Sequence, residues 1–235
     1  TMKGNVDAMF FNAGVADCET LNNLLSAKYE ANKEDVANLK EVASLLRRSE
    51  CVDLPLYATV AEQLYQLDPT ADAAYSLAIM FLKPQEFDKT EGYLKEAIAK
   101  SEDNEAKAEY YLKMAQLQLA KKQYQATKTN ALEVLKLNPN NGTALMLIGK
   151  AYANSASNYG EDDFDHASVF WAAVDKFQKA KQVDPAMTEE ADKLIGIYSQ
   201  HFPSKDEAFF RSVTDGATVK IGSWINESTK ARFRK

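Results

Sequence analysis

"YLKMAQLQLAKKQYQATKTNALEVLKLNP", Tyr111 to Pro139, reads as two helices joined by a tight turn. Tyr111, Met114, Ala115 and Gln118 fall on one helical face before the turn, and Tyr124, Thr127, Ala131 and Val134 fall on one face after it. Lys121 to Gln123 interrupt the apolar period. Pro139 closes the second helix, because a proline has no N–H with which to continue the hydrogen-bond ladder. A helix with one apolar stripe must bury that stripe against a neighbour, so the stretch implies similar units on either side.

Such units are present. "AYSLAIMFLKPQEFDKTEGYLKEAIAKSED", Ala74 to Asp103, places Ala74, Leu77, Ala78 and Phe81 before its turn and Phe87, Thr90, Leu94 and Ala97 after it. "LMLIGKAYAN", from Leu145, resumes after a gap with "VFWAAVDKFQKAKQVDP", which ends at Pro185. Its corresponding positions are Leu145, Ile148, Gly149 and Tyr152, then Phe170, Ala173, Phe177 and Ala180. The small residues mark points where two helices cross closely, and the large ones fill the space beside them.

The unit length of about 34 residues and this order of bulky, small and aromatic positions resemble the tetratricopeptide repeat (TPR) family. Thr90 and Thr127 stand where the family has Ala, and Gln118 stands where an aromatic is usual. Weaker units flank the three. Leu39, Val42, Ala43 and Leu46 fit a first helix, and Tyr57, Ala61, Leu64 and Pro69 fit its partner. A helix from about Asp17 to Asn32 would be the tail of a preceding unit. Ala191, Leu194, Ile195 and Tyr198 fit a first helix whose partner is replaced. The expected fold is all-α: a right-handed α-solenoid of antiparallel helix pairs from about Asp17 to Phe202, with a small C-terminal β-hairpin. Residues 1–35 are assigned to an N-terminal helical segment, 36–202 to the repeat array and 203–235 to a C-terminal cap of a short helix and the hairpin.

In the third unit Tyr152 and Phe170 lie about 18 residues apart, against about six for the equivalent pair in the other units. The expectation is a polar turn lengthened by about 12 residues, Asn154 to Asp165, which closes at little entropic cost, caps the next helix and is dispensable for folding. Its acidic run, Glu161 to Asp165, lacks the ligand spacing and central Gly of a calcium loop. Partner contact is the alternative.

Composition excludes several functions. At 26% charged residues and a net charge of −6, the chain is not built to bind a nucleic-acid backbone. No apolar run approaches the ~18 residues of a membrane span. No secretory signal is visible, but a chain that opens on Thr1 reads as a processed product or a fragment, so this says little about compartment. Two His, His166 and His201, and two Cys are too few for a Cys/His zinc site. No nucleophile elbow, phosphate loop, zinc helix or dinucleotide fingerprint occurs. No catalytic residue, no metal and no cofactor are expected.

The TPR resemblance implies a concave face lined by the first helix of each unit, with groove positions at Tyr75 and Ile79, Leu112 and Gln116, and Met146 and Lys150. Chaperone-binding members use Lys, Asn and Arg there to clamp a terminal carboxylate, and that set is missing here. The mostly apolar set suits a peptide or helix with apolar anchors. The alternative is that these side chains pack within or between repeats. Cys18, near the start of one second-type helix, and Cys51, in the turn of the following unit, lie on the same edge of a solenoid. That geometry permits a disulfide in an oxidising compartment; two partly buried thiols are the alternative.

The tail changes period. "TVKIGSWI", Thr218 to Ile225, is β-rich, and "TKARFR", Thr229 to Arg234, alternates basic with small or apolar residues. Asp215-Gly216 and Asn226-Glu227-Ser228 are the expected turns. Trp224 is the expected anchor, Leu194, Ile195 and Tyr198 the expected docking surface, and self-association through the hairpin a further outcome. The ending "GSWINESTKARF" resembles TPR proteins of Gram-negative bacterial envelopes, which favours periplasm or cell envelope over cytoplasm. The resulting expectation is a non-catalytic TPR scaffold for protein–protein interaction; the alternative is a regulatory or assembly region of a larger envelope complex or enzyme.

Overall fold

The structure, a computed structural model, describes residues 17–82 and 86–234. The start of the 1–35 segment and part of the turn expected after Phe81 lie outside these residues. The chain forms two compact units that divide between Glu102 and Asp103.

The first unit holds α1 (Cys18–Ala31), α2 (Val36–Arg48), α3 (Pro55–Leu67), α4 (Ala71–Leu82) and α5 (Phe87–Lys100). Acidic caps start the first two: Asp17 accepts from the Thr20 N–H and Asp35 from the Ala37 N–H, each at 2.8 Å. At the end of α2 the chain turns through Glu50 at φ 57°, and the Cys51 N–H donates to the Leu46 carbonyl at 2.9 Å. This closes the helix as a Schellman turn with no glycine. Consecutive helices pack in pairs around Leu39, Val42, Leu46, Tyr57, Leu64 and Leu94, all fully buried. Thr90 is tolerated in place of Ala because its hydroxyl donates to the Glu86 carbonyl of its own helix at 3.2 Å.

The second unit holds α6 (Asn104–Ala120), α7 (Tyr124–Leu137), α8 (Gly142–Ser155), α9 (Asp163–Val183), α10 (Thr188–Ser199) and α11 (Lys205–Phe210), then β1 (Thr218–Ile221) and β2 (Glu227–Lys230). The fold is therefore all-α, with consecutive helices packed in pairs and a small antiparallel hairpin at the end. Close crossing is clearest between α8 and α9: a Cβ on Gly149 would lie 2.5 Å from Cε1 of Phe177, so only glycine fits. Thr127 repeats the Thr90 device, donating to the Gln123 carbonyl at 3.1 Å.

Four expectations are corrected: the insertion, the docking surface of the hairpin, its turn and its anchor. The segment Asn154 to Asp165 is not one solvated turn. It continues α8 to Ser155, adds a 3-10 turn (Ala156–Asn158), and starts α9 at Asp163, where Asp162 caps the helix. Ser155 and Ala156 are buried, and Phe164 meets Trp171 edge-on at 5.9 Å. The hairpin also docks elsewhere than on α10. Tyr198 of α10 is already stacked on Phe170 and Phe177 of α9, at 5.5 and 5.8 Å, so that face is occupied.

The hairpin lies on α9 instead. Buried Trp171 donates its indole N–H to the Arg232 carbonyl at 2.6 Å, and Arg232 pairs with Asp175 at 2.7 Å. Its turn runs from Gly222 to Asn226, whose N–H returns to the Gly222 carbonyl at 3.1 Å, while Glu227 and Ser228 belong to β2. Ile225 is fully buried and serves as the anchor; Trp224 is half-buried and leans on Tyr152 at 5.6 Å. The register pairs Val219 with Thr229 and Ile221 with Glu227.

Candidate functional site

Tyr75 and Ile79 belong to the first unit, and Leu112, Gln116, Met146 and Lys150 to the second. Tyr75 is 3% exposed with the Arg47 guanidinium 5.4 Å over its ring, and Ile79 is also buried. Met146 is 2% exposed within the α8–α9 core. Burial leaves these three side chains little surface to present. Lys150 is half-exposed but joins α8 to α10 by an ion pair with Glu190 at 2.6 Å. Leu112 and Gln116 remain half-exposed, one turn apart on α6.

Leu112 lines a hollow of ≈ 560 Å³. Its walls are the first half of α6 (Asn104, Glu105, Ala108, Glu109) and the α7–α8 turn (Leu137, Asn138, Asn141). Ala108, Leu112 and Leu137 are half-buried and form an aliphatic floor, and Asn104, Glu105, Glu109 and Asn138 are exposed and form an amide and carboxylate rim. Local folding rules place these groups. Asn141 caps α8 by accepting from the Ala144 N–H at 2.8 Å, and Asn138 accepts from the Asn140 N–H at 3.2 Å, so both amide oxygens are held by the turn itself. Sequence periodicity missed the rim because it selects one helix face at a time, whereas this hollow combines a helix with a turn about 30 residues later.

The other polar cluster of the second unit is structural. Tyr152 donates to Glu227 at 2.8 Å, and Lys176 pairs with the same carboxylate at 2.8 Å. Burial, reinforced by the Glu227 charge, pushes the Tyr152 hydroxyl far above its ordinary pKa. Lys128 donates to the Ile225 and Trp224 carbonyls at 2.6 and 3.3 Å, and burial lowers its pKa although Glu227 opposes this. These groups are used up in fastening the hairpin to α7, α8 and α9.

Cys18 and Cys51 are joined by a disulfide, with a Cα–Cα distance of 5.4 Å. Among the described residues no group of His, Cys, Asp and Glu could hold a metal ion, and no helix is long and apolar enough to cross a membrane.

Among solved structures the chain is similar to YrrB, a TPR protein described as having an unusual peptide-binding site. The likeness covers 74% of this chain and 81% of that one, with 17% identity and a TM-score of 0.52. At that identity it establishes a shared TPR fold. No protein-family model and no curated protein matches the chain.

Proposed function

We propose that the chain is a non-catalytic scaffold that takes a peptide or protein segment with an apolar anchor. The observation that carries this is the hollow around Leu112, where an aliphatic floor formed with Ala108 and Leu137 is open to solvent beneath a polar rim. An anchor side chain would bury apolar surface there at about 25 cal/mol per Å², while the rim would supply hydrogen bonds to the peptide backbone. The TPR fold and a similar protein with a peptide-binding site support the reading. Of the groove residues expected from the repeat pattern, Leu112 and Gln116 carry it, and Tyr75, Ile79, Met146 and Lys150 hold the scaffold.

A displayed peptide library tests it. Selection on the intact protein should enrich peptides that share a Leu, Ile, Met or Phe anchor, and Leu112→Asp should abolish their binding while the far-UV circular dichroism spectrum stays that of the folded protein. Absence of enrichment, or binding untouched by Leu112→Asp, would remove the proposal.

A second reading, an assembly region of a larger envelope complex, is favoured by Phe209 and Phe210 on α11. They are 79% and 84% exposed and lie edge-on at 5.9 Å, a costly display of apolar surface that a permanent partner would cover. The Cys18–Cys51 disulfide fits the oxidising periplasm expected from the tail resemblance.

A further inference from the structure

The contacts that hold α1 are divided unequally along it. Its C-terminal end is fastened by polar groups. Tyr29 donates to Gln63 of α3 at 2.6 Å, and Asn38 of α2 donates to the Lys28 and Asn32 carbonyls at 3.2 and 3.1 Å. Gln63 also donates to the Lys33 carbonyl at 2.5 Å, and Lys28 pairs with Glu41 at 2.5 Å. The N-terminal half has apolar contacts through Leu21 and Leu25 and the bond from Cys18 to Cys51. Among the described residues, no polar side-chain contact ties Cys18–Leu25 to α2 or α3. Cys18 is exposed, whereas Cys51 is 2% exposed in the turn before α3.

We propose that the Cys18–Cys51 disulfide is a redox latch on the N-terminal half of α1. A dithiol reductant reaches the bond from the exposed Cys18 side. Its thiolate attacks one sulfur, the S–S bond breaks, and the other cysteine leaves as a thiolate that takes up a proton. The second thiol of the reductant then closes its own disulfide and frees the remaining cysteine. The reductant loses two electrons and the protein disulfide gains them. With the bond open, only the apolar contacts of Leu21 and Leu25 hold the first two turns among the described residues, and an isolated helix end of this length is marginal in water. The segment peels back to a hinge at Tyr29–Asn32, where the polar contacts persist, and uncovers Leu21, Leu25 and the Cys51 turn.

Hydrogen exchange on the full oxidised chain, with and without dithiothreitol and without denaturant, tests this. Thiol alkylation should show that both cysteines are released. Amides of Leu21–Leu25 should then exchange at least ~10-fold faster, while those of α3 to α5 change less than ~2-fold. Cys18→Ser should reproduce the reduced pattern with no reductant. A bond that dithiothreitol leaves intact in the native protein overturns the proposal, as does unchanged exchange at Leu21–Leu25. Loss of protection across α2 to α5, or failure of Cys18→Ser to fold, overturns it too, because the bond would then staple the whole unit.

Discussion

The hydroxyl of Tyr159 accepts a hydrogen bond from the Gly222 N–H at 2.7 Å. Tyr159 lies in the segment inserted between α8 and α9, and Gly222 follows the last residue of β1. A two-stranded sheet leaves open edges onto which another strand could add. This bond occupies a backbone donor where β1 ends, and the inserted segment thereby stands beside the hairpin. Arg211 strengthens the same junction: it pairs with Asp162 and lies 5.5 Å over the Phe164 ring. The insertion and the tail are therefore joined in one structure.

Tyr159→Phe should therefore lower stability by about 1 kcal/mol, and Tyr159→Ala by about 2 kcal/mol, since the second also removes apolar contact. Urea denaturation measures both, and exchange at Val219–Ile221 should accelerate alongside. If Tyr159→Ala leaves the midpoint where it was, the segment is the dispensable loop that its polar composition suggests.

Gln118 is buried on α6, and its Oε1 meets no donor among the described residues; its Nε2 has the Met114 sulfur at 3.7 Å. A buried acceptor left without a partner costs about 1–3 kcal/mol. Gln118→Met keeps a flexible side chain of similar length and removes that penalty, so the folded state should gain about 1 kcal/mol. A loss of stability on calorimetry would mean that the amide has a role in the packed state that its contacts do not reveal.

Tyr57 is fully buried and donates to the Ser76 carbonyl at 3.0 Å. Burial pushes its pKa up to about 12, against a smaller opposing effect of Arg47. An unfolded tyrosine titrates near 10, so the folded state keeps its proton longer. The contribution is fully present below pH ~10 and is lost as pH rises towards ~12, by at most about 3 kcal/mol. Tyr152 adds an alkaline slope of its own, so the difference between wild type and Tyr57→Phe is the quantity to follow. Urea midpoints taken across that range should converge for the two proteins as pH rises; parallel curves would contradict the assignment.

The helix pairs were legible in the sequence because their causes are local. Small residues such as Ala78, Ala115 and Gly149, placed one helical repeat from bulky ones, leave few ways to bury each stripe. Asp17, Asp35 and Asn141 mark helix starts by chemistry that acts within three residues. The strand pattern around Val219 and Ile221 was legible for the same reason. What the pattern could not decide was which of two apolar faces a given helix turns to its neighbour. Tyr75 and Met146 fall on the groove spacing beside the core face, yet both are buried. The docking of the hairpin on α9 depended on Trp171 and Arg232, 61 residues apart, and on Tyr198 having already been covered by Phe170. Contacts of that range carry no period in the chain. They are settled by which surfaces remain unburied once the local pairs have formed, and that is a property of the tertiary structure alone.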